Sequence, residues 1–269
     1  MGKVFIDVAE VQQGAKWIDA RFDLADLEKG QALYEESHVA GAVYWHLERD
    51  LSDMSSNEGR HPMPTQNAIQ QLLERSGLTQ NDLIYIYDQG AAPFAARAWA
   101  ILQYAGFTNM FIVNGGFAAL QQSDITFTSE ATDIEPSTLT LDWQTQHVLT
   151  SKDVERIVAG EERATLLDAR ANARYKGEME PIDSVAGHIP TAKNFDWEQL
   201  KRDGQLHYSA QLAKKVAKDE PVVVYCGSGV TASPVYAVLQ DAGYTNARIY
   251  MGSYSDWIRE HAIETGENE

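Results

Sequence analysis

"PVVVYCGSGVTASPVYAVLQDAGYTNARIYMGSYSDWI" spans residues 221–258 and decides the fold, because residues 83–120 carry a second version of it, "LIYIYDQGAAPFAARAWAILQYAGFTNMFIVNGGFAAL". The AGFTN run at Ala105–Asn109 falls against AGYTN at Ala242–Asn246, and Gly115 falls against Gly252. One extra residue in the first loop keeps the register. Upstream, Asp19-Ala20-Arg21 matches Asp168-Ala169-Arg170, and His38 matches His188. Ordered matches at this spacing mark two copies of one folding unit.

Each copy reads strand, helix, strand. Leu83–Tyr87 and Val222–Tyr225 are short apolar runs bounded by acidic or turn residues, the pattern of strands buried on both faces. Ala92–Tyr104 and Thr231–Asp241 have helical apolar spacing, and each ends before a glycine, Gly106 or Gly243, suited to cap it. Met110–Val113 and Arg248–Met251 read as further strands, and Thr65–Ser76 and Ser209–Lys218 as surface helices. The order predicts α/β units with a largely parallel sheet. The polar stretch between the copies reads as a linker. The expected division is a first domain at 1–125, a linker at 126–145 and a second domain at 146–269.

Bulk properties narrow the function. A net charge of -17 across 269 residues argues against nucleic acid or an anionic membrane as partner, though a local pocket can still attract a small anion. A single cysteine makes no internal disulfide, which fits a reducing compartment. The first residues lack the pattern of a signal peptide, and no run of 18 apolar residues occurs, so a cytoplasmic location is expected.

That cysteine, Cys226, stands where a strand ends and a helix begins, the edge at which open α/β sheets bind ligands. Gly227 and Gly229 free the backbone to turn successive N–H groups inward, and the following helix adds its positive end. Both favour a thiolate and an anion beside it. Ser228 and Thr231 bring hydroxyls to the same loop. The competing reading, a small buried apolar residue, is common for free cysteine, but a plain core has no need of Gly-Ser-Gly. The first copy has Asp88 at the equivalent position, so one copy is expected to be chemical and the other structural.

Other cysteine chemistries fit less well. A cysteine phosphatase needs an arginine six residues on, where this chain has Ala232. A Cys-x-x-Cys redox site needs a second cysteine where Gly229 stands, and the scattered histidines do not suggest a metal site. What remains is a lone thiolate that attacks a soft electrophile and carries the product.

The paired "DAR" segments, "AGHIPTA", the Asp-for-Cys first copy and "CGSGVTA" together resemble the two-domain rhodanese-type sulfurtransferases over nearly the whole chain. The resemblance implies two tandem rhodanese-like domains, each a mainly parallel sheet flanked by helices. It implies an enzyme that moves sulfur from a small anionic donor through a Cys226 persulfide to a thiol, cyanide or a reduced protein such as thioredoxin, with no cofactor. Within the family, "CGSGVT" is similar to the loop of the mercaptopyruvate-using members; thiosulfate-using members tend to carry a basic residue at Gly227 or Ser228. A thiosulfate:cyanide sulfurtransferase is the first alternative, and a non-enzymatic persulfide carrier or binding module is the second.

By the same resemblance, Ser228, His61 and Glu48 form a Ser–His–acid group, with glutamate where the family typically has aspartate. Arg174 matches an arginine that holds the donor carboxylate, with Arg60 supplying charge to the cleft. Gly227, Gly229, Val230 and Thr231 complete the substrate side of the loop. The family usually adds a second arginine after an "EP" pair, but this chain reads Glu180-Pro181-Ile182, leaving Lys176, Arg21 or another cation to substitute. His38, His188 and the "DAR" residues recur in the copy without a nucleophile, so they are expected to hold the fold.

Overall fold

The computed structural model describes residues 2–268. The first domain contributes strands β1 (Phe5–Ile6), β2 (Lys16–Asp19), β3 (His38–Val39), β4 (Ala42–Tyr44), β5 (Ile84–Tyr87), β6 (Met110–Val113) and β7 (Phe127–Thr128). Five of them form a sheet in the order β1-β6-β5-β2-β4, with every pairing parallel. The second domain adds β8 (Val148–Leu149), β9 (Thr165–Asp168), β10 (Lys193–Asn194), β11 (Lys201–Arg202), β12 (Gln205–Leu206), β13 (Val222–Tyr225) and β14 (Ala247–Tyr250). Its main sheet, β10-β9-β13-β14-β8, is the same parallel order read from the other edge.

The central strands are apolar throughout because helices cover both faces; all four residues of β5 and of β13 are buried. The helices Phe94–Tyr104 and Ala232–Asp241 follow those strands and are buried along nearly their whole length. Each stops at a glycine in the left-handed region, Gly106 at φ 88° and Gly243 at φ 83°. The N–H of the next residue returns to a carbonyl five positions back, Phe107 to Leu102 and Tyr244 to Leu239, at 3.0 Å each.

These two helices also join the domains. Trp99 and Tyr236 pack with ring centroids 5.9 Å apart, and the Tyr236 hydroxyl donates to Gln103 Oε1 at 2.5 Å. One continuous apolar cluster runs from Ile86 and Leu102 to Val224 and Cys226. Burying a large apolar side chain contributes about 1.5–3 kcal/mol, so an interface of this kind fixes the two copies against each other. At the rim, Asn114 and Leu206 exchange two hydrogen bonds of 2.9 Å, and Asp241 accepts the N–H groups of Val4 and Phe5.

Residues 126–144 are more than a tether. Phe127–Thr128 pairs antiparallel with His38–Val39, and Ser137 and Leu139 donate backbone N–H groups to Glu74 at 2.9 and 3.0 Å. This polar segment satisfies its backbone against the first domain, which hydropathy alone does not reveal.

Candidate active site

Cys226 follows the last residue of β13 and is 1% exposed. Its N–H donates to Ser253 Oγ at 3.1 Å, and its carbonyl accepts from Tyr254 N at 3.0 Å. Ser253 lies at φ 57°, a strained conformation for a residue with a side chain. Its hydroxyl spans Cys226 N–H and the Tyr250 carbonyl, to which it donates at 2.8 Å.

The two loop glycines serve different ends. Gly229 has φ 76°, and a side chain there would strike the Met251 carbonyl and Arg97. Gly227 has no positive φ; a Cβ there would displace the end of the Arg60 side chain at Nη2. Only one of the pair relaxes the backbone, then, and the other admits a guanidinium from the first domain. Among the described residues, the N–H groups of Gly227, Ser228, Gly229 and Val230 meet no acceptor in the protein. Val230 is buried in the core, and Thr231 precedes the helix Ala232–Asp241 without a side-chain cap bond.

His61 comes from the first domain and reaches Ser228 across the cleft, Nδ1 to Oγ at 2.9 Å. Its Nε2 stands 3.8 Å from Glu48 Oε1, beyond hydrogen-bond range. The expected Ser–His–acid group is therefore joined at the first link and only approached at the second. Burial, then the Arg97 and Arg60 charges, pull the imidazole down to about 4, so His61 is neutral at pH 7. A neutral ring with its N–H turned toward Glu48 leaves Nδ1 to accept the Ser228 hydroxyl.

Arg174, in the middle of the short helix Asn172–Lys176, does lie beside the loop, and so does Arg60. Both are tied to acids. Arg174 donates from Nε to the two oxygens of Glu180 at 3.1 and 3.0 Å and from Nη2 to Asp183 at 2.8 Å. Arg60 donates from Nε to Asp183 Oδ1 at 2.9 Å. The two suggested substitutes for the missing arginine stand elsewhere. Lys176 pairs with Glu267 at 2.7 Å, and Arg21 is locked to Asp19 in the first domain at 2.6 Å. Ile182 points outward, 57% exposed.

The repeated residues brace each copy alike. Arg170 pairs with Asp168 at 2.6 Å as Arg21 does with Asp19. His38 and His188 bond through Nδ1 to the carbonyls of Tyr34 and Tyr175 and stack on those same rings.

One residue of this site went unread in the sequence. Arg97 is fully buried in the helix Phe94–Tyr104, and no ion pair among the described residues includes it. Its guanidinium donates to the Leu51 carbonyl at 3.0 Å, the His61 carbonyl at 3.1 Å and Met251 Sδ at 2.8 Å. Burial pulls its pKa down to about 10, opposed by the charge of Cys226. Arg97 is thus a buried cation without a carboxylate partner, close enough to Cys226 to feel its charge. The signal was present: Arg97 is the one charged residue in an otherwise apolar helix.

A buried lone cysteine, a buried arginine and a Ser–His pair thus meet at the carboxyl edge of a duplicated parallel sheet. Comparison with known proteins identifies the family. The Rhodanese-like domain model matches twice, at residues 7–123 and 150–260. A Pseudomonas aeruginosa protein named "Probable 3-mercaptopyruvate sulfurtransferase" is 36% identical over 265 residues, covering 93% of this chain and 92% of that one. A Mycobacterium tuberculosis protein named "Putative thiosulfate sulfurtransferase SseB" is 32% identical over 269 residues, covering 95% and 94%. The crystal structure of SseA from Escherichia coli, a 3-mercaptopyruvate sulfotransferase, aligns with TM-score 0.81 at 29% identity, over 94% of this chain and 99% of that one. The chain belongs to the rhodanese family, with two tandem rhodanese-like domains, and it is a sulfurtransferase. No helix among the described residues is long and apolar enough to cross a membrane.

Proposed function

We propose that the sulfur donor is 3-mercaptopyruvate and that Cys226 carries the sulfur as a persulfide. The observation that supports this donor best is that Arg60 and Arg174, one from each domain, close on a single carboxylate beside Gly227. A donor with one carboxylate suits that pair of guanidiniums. The loop itself has no lysine or arginine and offers the dianion thiosulfate only N–H groups and the hydroxyls of Ser228 and Thr231.

In the reaction, the Cys226 thiolate attacks the donor sulfur and an S–S bond forms. The C–S bond breaks, and its electron pair passes to the carbon as the enolate of pyruvate. The proton that the donor thiol brought moves to that carbon, with Ser228 and neutral His61 as the relay at the ketone end. The products are pyruvate and an ionised Cys226 persulfide. A thiolate or cyanide then attacks the outer sulfur and returns Cys226 as thiolate. A reduced protein such as thioredoxin serves as acceptor in the same way.

Initial rates with 3-mercaptopyruvate and with thiosulfate, cyanide as acceptor and Cys226→Ser as control, test the assignment. The expected result is a kcat/KM for mercaptopyruvate at least about tenfold above that for thiosulfate. A thiosulfate preference would make the missing arginine at Ile182 decisive. Cysteine-dependent persulfide without turnover of either donor would mark a carrier.

A further inference from the structure

Asp183 follows Ile182 on a surface turn, yet its side chain is only 2% exposed. Its carboxylate accepts from Arg60 Nε and Nη2 at 2.9 and 3.3 Å and from Arg174 Nη2 at 2.8 Å. A Cβ built on Gly227, next to the nucleophile, would stand 3.6 Å from Asp183 Oδ2 and 3.5 Å from Arg174 Nη2. The turn's own carboxylate thus fills the position between the two guanidiniums, directly over the cysteine loop.

The rest of the turn is lightly held. Met179, Ile182 and Val185 point away from the core, at 54%, 57% and 40% exposure. What pins it is ionic: Glu180 accepts the N–H groups of Ile182 and Asp183 at 3.0 Å each, and Asp183 reaches the arginines. With the turn down, Cys226, Ser228 and His61 are all buried.

We propose that Asp183 is the specificity-determining residue of this site: its carboxylate occupies the subsite that a donor carboxylate takes, and the donor enters by displacing it. This inference rests on the arginine pair as the donor's anion subsite. Charge argues for the class of ligand. Arg60, Arg170 and Arg174 stand against Asp168, Glu180 and Asp183, so the closed cluster is neutral. When Asp183 swings out, one positive charge is left unpaired, which matches a monoanionic carboxylate and is overfilled by a dianion. The exchange swaps one carboxylate for another, so entry costs little electrostatically. Neutral compounds gain nothing from it.

The test needs no sulfur donor. Iodoacetate and iodoacetamide alkylate the same thiolate with the same leaving group, and only the first carries a carboxylate. In Asp183→Asn the ratio of their rates at Cys226 should rise about tenfold over wild type, and Arg174→Gln in that background should return it toward the wild-type value. The KM for mercaptopyruvate should fall with kcat nearly unchanged. Asp183→Ser is read the same way if the asparagine variant folds poorly by thermal melting. An unchanged or lower ratio in both variants overturns the inference, even if mercaptopyruvate is turned over. A raised ratio in a protein that ignores mercaptopyruvate keeps Asp183 in its role and moves the failure to the donor.

Discussion

The loops after β5 and β13 share a frame and differ in what fills it. In both, the carbonyl of the key residue accepts an N–H from the next short helix, Asp88 from Phe117 at 2.7 Å and Cys226 from Tyr254 at 3.0 Å. In both, a residue in the left-handed region precedes that donor, Gly116 at φ 55° and Ser253 at φ 57°. In the first loop Asp88 turns its carboxylate back into the nest and accepts from Gly90 N at 2.9 Å and Ala95 N at 3.1 Å. Burial pushes Asp88 up to about 6 against those donors. The first copy therefore carries its anion covalently. In the second, among the described residues, the N–H groups of Gly227, Ser228, Gly229 and Val230 meet no acceptor in the protein.

Ser253 sharpens the contrast. In the first copy the extra loop residue brings Gly90 against Gly116, where any Cβ would strike Gly90 and the Asp88 carbonyl. The shorter second loop has room, and a hydroxyl takes the Cys226 N–H.

Gly116→Ser should destabilise the protein by about 2–4 kcal/mol, because a side chain meets backbone there, whereas Ser253→Gly should cost no more than about 1 kcal/mol as relieved strain offsets the lost bond. Urea unfolding of both variants measures this, and equal losses would show the loops are not sterically distinct. Arg97→Gln should slow alkylation of Cys226 by iodoacetamide at neutral pH about tenfold or more; a rate equal to wild type would remove Arg97 from the site.

The pH dependence of stability tests the same site. His61 is held at about 4 in the folded protein, below its ordinary 6.5. The unfolded chain therefore takes up a proton first, and the stability due to neutral His61 is complete above pH 6.5 and lost as pH falls toward 4. The stability difference between wild type and His61→Asn should shift against wild type by roughly 2 kcal/mol between pH 7 and 5. A difference that stays flat over that range would show that the ring is not buried neutral.

The repeat made the architecture readable, since two copies of strand, helix and strand at one spacing leave few topologies for a parallel sheet. Cys226 stood out by its loop, and Arg60, Arg174, His61 and Ser228 do meet at that loop. Other features depend on contacts between distant segments. Nothing near Glu180-Pro181-Ile182 announces that the following Asp183 reaches an arginine 123 positions away. The Glu48 carboxylate stops 3.8 Å from His61 Nε2, a separation that residue type alone does not encode. Arg97 and Ser253 left usable signals: a lone charge in an apolar helix, and a serine where the other copy needs glycine.

The most direct test of the whole account is intact-protein mass spectrometry after 3-mercaptopyruvate is added without an acceptor. The account predicts the added mass of one sulfur atom, one equivalent of pyruvate, retention of both in Asp88→Asn and loss of both in Cys226→Ser. Sulfur that still loads when Cys226 is serine, or loading that fails when Asp88 is asparagine in a folded protein, would contradict the division of labour between the two loops.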